Sequence, residues 1–127
     1  MSALANCARL LIVEDEYLVA RYLCRVIRDI GGAPIGPVPS VTRARAELAR
    51  HVVDLALLDI KLAQGNVYPL ADELAANGTP IVFVTGYDGG LLPERFAGHA
   101  LLEKPITQRE LAHILETVER RGDTPRT

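Results

Sequence analysis

Four short apolar runs punctuate the chain, at Arg9–Val13, Asp54–Leu58, Ile81–Val84 and Ala100–Leu102. Runs this continuous and rich in Leu, Ile and Val predict strands buried on both faces. The stretch Ala33–Pro39 is a weaker fifth strand. Pro34, Pro37 and Pro39 lack amide donors, which restricts it to a sheet edge. Between the strands the apolar spacing becomes helical. Leu18, Val19, Tyr22, Leu23, Val26, Ile27 and Ile30 form one stripe, which Gly31-Gly32 ends. A shorter helix begins near Ser40, with Ala44, Leu48 and Ala49 on one face. A third carries Val67, Leu70, Ala71, Leu74 and Ala75, tolerates Pro69 in its first turn, and stops at Asn77-Gly78. The last opens on the capping box Thr107-Gln108-Arg109-Glu110 and presents Leu111, Ile114, Leu115 and Val118.

The alternation of strand and helix predicts a parallel sheet with right-handed crossovers and helices on both faces. Strand order 2-1-3-4-5, the flavodoxin-like arrangement, puts the proline-rich second strand at an edge. The pattern breaks after Val84. Gly86, Gly89, Gly90 and Pro93 disfavour a regular helix between the fourth and fifth strands. A loop with at most one or two turns around Leu91–Phe96 is expected there. One domain over residues 1–121 and a frayed tail over 122–127 account for the chain.

Composition narrows the functional classes. The 127 residues carry 14 Lys+Arg against 16 Asp+Glu, a net charge of −2, and are 49% hydrophobic. One substantial core fits that length, and disorder does not. No apolar run approaches the roughly 18 residues of a membrane span, and the N-terminus has no secretory pattern. A near-neutral balance without a basic tract argues against general nucleic-acid binding. Cys7 and Cys24 read as free thiols, and His51, His99 and His113 have no metal-ligand spacing. A soluble, cytoplasmic domain is expected.

The chemistry lies at the strand ends. In open parallel sheets, ligands bind outside the carboxyl ends of the strands, near the point where strand order reverses. The first strand ends in Glu14-Asp15-Glu16, the third in Asp59, the fourth in Thr85, and the fifth in Glu103-Lys104-Pro105. Four neighbouring strands thus aim three carboxylates (Glu14, Asp15 and Asp59), a hydroxyl and an ammonium at one rim. Crowded carboxylates favour a hard divalent cation such as Mg²⁺. An aspartate beside that ion can attack phosphorus and form an acyl phosphate. A lysine and a hydroxyl would offset charge on the phosphoryl oxygens. Asp59, at the end of the most apolar strand, is the best nucleophile. Glu14 and Asp15 also suit the start of the following helix, where negative charge favours the macrodipole.

Over essentially its whole length the sequence resembles the receiver domain of bacterial two-component response regulators. Leu11-Ile12-Val13-Glu14-Asp15-Glu16 is similar to the family's acidic-pair strand, and Leu57-Leu58-Asp59-Ile60-Lys61-Leu62 to its phosphoacceptor strand. Val84-Thr85-Gly86 and Glu103-Lys104-Pro105 resemble its threonine and lysine elements. The resemblance implies that Asp59 accepts a phosphoryl group from a histidine kinase or histidine phosphotransfer protein. It implies that Glu14, Asp15, Asp59 and the backbone carbonyl of Lys61 hold Mg²⁺, and that Thr85 and Lys104 contact the phosphoryl oxygens. The Lys104-Pro105 bond is often cis in that family. Lys61 and Tyr87 occupy positions expected to influence dephosphorylation. The first helix often docks kinases, which gives Arg21, Arg25 and Arg28 a partner role beside the plainer one of a solvated face.

Two departures shape the expected output. The family usually has an aromatic switch residue where this chain has Leu101. The Gly-rich connection replaces a helix. Both resemble the single-domain FATGUY subgroup, whose signature is similar to Pro80-Ile81-Val82-Phe83-Val84-Thr85-Gly86-Tyr87. Tyr87, Gly89 and Gly90 then become output candidates. The function implied is a stand-alone phosphorylation switch, a signalling domain rather than an enzyme, that relays to an unknown protein and touches neither nucleic acid nor membrane. Competing readings are a phosphorylation-independent pseudo-receiver, a phosphate sink that drains a kinase, and a Mg²⁺-dependent phosphohydrolase. Hydrolases with an aspartate nucleophile commonly carry a second Asp two residues later, where this chain has Lys61.

Overall fold

In a computed structural model that describes residues 8–86 and 92–123, five parallel strands form one sheet in the order β2-β1-β3-β4-β5. The elements run β1 Arg9–Val13, α1 Tyr17–Asp29, β2 Ala33–Val38, α2 Val41–Leu48, β3 Leu55–Asp59, α3 Tyr68–Ala76, β4 Ile81–Thr85, β5 Ala100–Glu103 and α4 Gln108–Asp123. The two central strands flanking the switch of order, β1 and β3, are almost wholly buried. Side chains alternate across the sheet. Leu10, Ile12, Leu55, Leu57, Val82 and Val84 pack with α1 and α4. Leu11, Val13, Ala56, Leu58, Ile81 and Phe83 pack with α2 and α3. Burial on both faces explains why these strands carry uninterrupted apolar runs.

The edge strand β2 shows what its prolines require. Its register against β1 slips between Leu11 and Val13, where Ile35 and Val38 are the successive partners. Gly36 sits at φ +98°, and a Cβ there would lie 2.9 Å from the Val38 amide nitrogen. Only glycine fits that bend. The Glu14 amide then donates to the Val38 carbonyl at 3.0 Å, tying the first rim residue to the edge.

Between β4 and β5 the described residues form one 3₁₀ turn, Glu94–Phe96. Phe96 fills the space with its ring 5.1 Å from Phe83 and 5.5 Å from Tyr68, centroid to centroid, and His99 meets Phe83 edge-on. Aromatic burial thus closes this crossover. The capping box is formed. Thr107 N–H donates to Glu110 Oε1 and Glu110 N–H to Thr107 Oγ1, each at 3.0 Å.

Several expectations need correction, among them Ala75, which is exposed on α3 where Leu70, Ala71 and Leu74 are buried. Leu18 is 78% exposed, because at 3.6 residues per turn it lies almost opposite the buried arc of Ala20, Leu23, Cys24 and Ile27. Ala49 is exposed as well, since α2 ends at Leu48 and Ala49 is its C-cap. Helix α4 runs through Asp123, and one glycine near a helix end costs only about 1 kcal/mol against alanine. No side chain caps α1, whose N-cap is Glu16. Residues Tyr87, Gly89 and Gly90 lie outside the described residues, as do 124–127 and the side chains of Leu115 and Val118. No described helix is long and apolar enough to cross a membrane.

Candidate phosphoryl and metal site

Each rim residue is delivered by the end of a strand. Glu14 follows β1, Asp59 and Thr85 are the last residues of β3 and β4, and Lys104 follows β5. Parallel pairing places them side by side. The Ile60 amide donates to Val84 O at 3.0 Å, and the Lys104 amide to Thr85 O at 2.7 Å. The Lys104–Pro105 peptide is cis. Among the described residues, Glu14, Asp59 and Thr85 are buried while the other buried side chains are apolar.

Carboxylate oxygens of Glu14, Asp15 and Asp59 lie within 4.8 Å of one another. Backbone amides hold them in place. Glu16 N–H donates to Glu14 Oε2 at 3.0 Å, and Lys61 N–H to Asp59 Oδ1 at 2.9 Å. Asp15 Oδ2 accepts from Ala63 N–H at 2.6 Å, so it braces the loop after β3 instead of helix α1. Thr85 Oγ1 donates to the Gly86 carbonyl at 3.1 Å.

Lys104 supplies a cation to this cluster. Lys104 Nζ donates to Glu14 Oε2 at 3.2 Å and to Asp59 Oδ2 at 3.4 Å, and lies 3.1 Å from Glu14 Oε1. Its shortest contact is to Glu16 Oε1, at 2.5 Å. Burial opposes the charge of Lys104, but hydrogen bonds to Glu16 and Glu14 outweigh it and hold the ammonium above its ordinary pKa. Burial, reinforced by Asp59, pushes Glu14 up from 4.5 to about 7, against the lowering effect of the Glu16 amide and Lys104.

This donor set fits a hard divalent cation. Glu14 Oε1 is buried and receives no hydrogen bond, since its contact with Lys104 is ionic without hydrogen-bond alignment. A buried carboxylate oxygen without a donor is costly unless a ligand completes it. Three carboxylates and nearby carbonyls supply the oxygen ligands that Mg²⁺ takes. The other expected positions are separate from the cluster. Leu101 is 42% exposed on β5, beside Phe83 in the register. Cys24 is a buried free thiol, its pKa raised by burial. Arg21 and Arg25 lie on the rings of Tyr17 and Tyr22 along exposed α1. Glu16 was the residue that motif reading passed over. Its signal was the third consecutive acid in Glu14-Asp15-Glu16.

Comparisons with known proteins agree with the geometry. Residues 10–116 match the model of the response regulator receiver domain. The chain is 32% identical over 113 residues to the transcriptional regulatory protein PdtaR of Mycobacterium tuberculosis, covering 85% of this chain and 55% of that protein. It is 27% identical over 119 residues to the sensory transduction protein LytR of Streptococcus agalactiae, covering 88% and 48%. The chain therefore spans about half the length of these curated relatives. Among solved structures, SdrG from Sphingomonas melonis Fr1 is similar with a TM-score of 0.80 at 33% identity, over 89% of this chain and 97% of that one. With its five-stranded sheet and acidic rim, the chain belongs to the response regulator receiver domain family.

Proposed function

We propose that this chain is a phosphoryl-accepting switch whose acceptor is Asp59. The observation that carries the reading is the cluster of buried Glu14 and Asp59 with half-buried Asp15, and Lys104 Nζ 3.4 Å from Asp59 Oδ2. Glu14, Asp15, Asp59 and the Lys61 carbonyl would hold Mg²⁺, which when bound supplies charge neutralisation at the phosphoryl oxygens. Asp59 attacks the phosphorus of a phosphohistidine on a kinase or phosphotransfer protein. An O–P bond forms, the P–N bond breaks, and the imidazole nitrogen keeps the electron pair and takes up a proton. Lys104 offsets the charge that builds on the transferring group, and Thr85 is placed to reorient its hydroxyl toward it.

The chain acts as a signalling domain, not a multiple-turnover enzyme. Lys61 stands where an aspartyl phosphohydrolase would place its second acid. The FATGUY-like run Pro80–Tyr87 supports output through the residues that follow Thr85, to a protein partner. Incubating the chain with phosphoramidate and Mg²⁺ tests the reading by intact mass. One phosphoryl group per chain, lost when EDTA removes the metal, is expected. No adduct, or steady turnover of a phosphate ester, contradicts it.

A further inference from the structure

Lys104 Nζ has three N–H donors and three carboxylate neighbours, at unequal distances. Glu16 Oε1 is nearest at 2.5 Å, Glu14 follows at 3.1 and 3.2 Å, and Asp59 is farthest at 3.4 Å. Glu16 differs in kind from the other two. Its side chain is 61% exposed and its carboxylate is outside the group of oxygens that could hold a metal. It is not required for an ion site, yet it makes the shortest contact to the ammonium.

The backbones at both ends of this contact are fixed. The Lys104 amide is bonded to Thr85 O, the Glu16 amide to Glu14 Oε2, and the Glu16 carbonyl accepts from Ala20 N–H at 2.9 Å. The side chains are the less restrained part, and the four-carbon stem of lysine swings easily between partners.

We propose that Glu16 is a positioning residue, a latch that draws Lys104 closer to itself than to Asp59, so that an incoming phosphoryl group must win the ammonium from it. This inference rests on the reading of Asp59 as acceptor. Glu16 thereby slows acquisition of the phosphoryl group without touching it, and it acts only through Lys104. Removing the latch speeds phosphorylation about two- to fivefold, the range that exposed ion pairs carry.

The test is a double-mutant cycle on the full chain, since a cycle isolates coupling between two side chains. Initial rates with phosphoramidate and saturating Mg²⁺ are compared for wild type, Glu16→Gln, Lys104→Met and the double variant. Glu16→Gln is expected to be about two- to fivefold faster, and to bring no gain in the Lys104→Met background. Loss of one negative charge near an anionic donor would bring the same gain in both backgrounds, and that result overturns the latch. So does an unchanged rate in Glu16→Gln. If Lys104→Met is unfolded or too slow to time, beryllofluoride affinity decides. Glu16→Gln must bind it about two- to fivefold more tightly than wild type, and equal affinity overturns the latch. No adduct on wild type overturns the underlying reading and the latch together. A wild-type adduct with either failure above overturns the latch alone.

Discussion

The molecule handles opposite charges in two contrasting ways. On its surface, Arg45 pairs with Glu73 and Arg95 with Asp72, the latter through two parallel bonds of 3.0 and 3.1 Å. These four side chains are 45–55% exposed, and each cation has one carboxylate of its own. At the rim, Lys104 is 16% exposed and is shared among Glu14, Glu16 and Asp59, with Glu14 and Asp59 at 1–2%. Each surface pair is balanced one to one, whereas Lys104 is divided among three carboxylates. Exposed pairs contribute little to stability because water and salt screen them. Buried carboxylates that outnumber their cation oppose folding unless a ligand arrives. The contrast separates an arrangement that decorates a fold from one whose donor set fits an ion.

The contrast breaks most severely if Lys104 is lost. Lys104→Ala leaves Glu14 and Asp59 buried without a cation, and should destabilise the metal-free protein by about 3 kcal/mol. Glu14 can take up a proton, which keeps the loss at the low end. Urea unfolding checks this, and Mg²⁺ should restore much of the loss. A response to Mg²⁺ no larger than in wild type would contradict the account.

Titration of Glu14 comes next. Folding raises its pKa from 4.5 to about 7, so between those values the folded state binds more protons than the unfolded state. The stability this gives is fully present below about pH 4.5 and is lost as pH rises to about 7. Metal-free melting temperature should therefore carry a falling contribution over this window, and the gain from Mg²⁺ should grow across it. Glu14→Gln should remove both trends. It should also weaken Mg²⁺ about 100-fold or more, because outer-shell changes alone commonly cost 10- to 100-fold. The smallest effect belongs to the surface. Arg45→Ala and Glu73→Ala should leave the unfolding midpoint almost unchanged at moderate salt, and a large loss would erase the distinction drawn above.

Much of this architecture was legible because strands buried on both faces leave a simple signature. Leu55-Ala56-Leu57-Leu58 can be little else, and the strand-end rule then gathers Glu14, Asp15, Asp59, Thr85 and Lys104. Leu18 and Ala49 were misplaced for a geometric reason. At 3.6 residues per turn Leu18 falls almost opposite the covered arc of α1, and Ala49 lies past the last residue of α2. The crossover after β4 could be read as irregular from its glycines, whereas its closure by Phe83, Phe96, Tyr68 and His99 depends on packing between distant segments. Glu16 illustrates the same limit at the site. Its place beside Asp15 was plain, but its contact with Lys104, 88 positions away, belongs to the folded chain alone.

The most direct test of the central claim is to locate the phosphoryl group on the chain. After reaction with phosphoramidate and Mg²⁺, trapping of the acyl phosphate by borohydride reduction and peptide mapping should mark Asp59 alone. Asp59→Asn should yield no marked peptide. An adduct on any other residue, or one undiminished in Asp59→Asn, would contradict the assignment of this rim as the phosphoryl site.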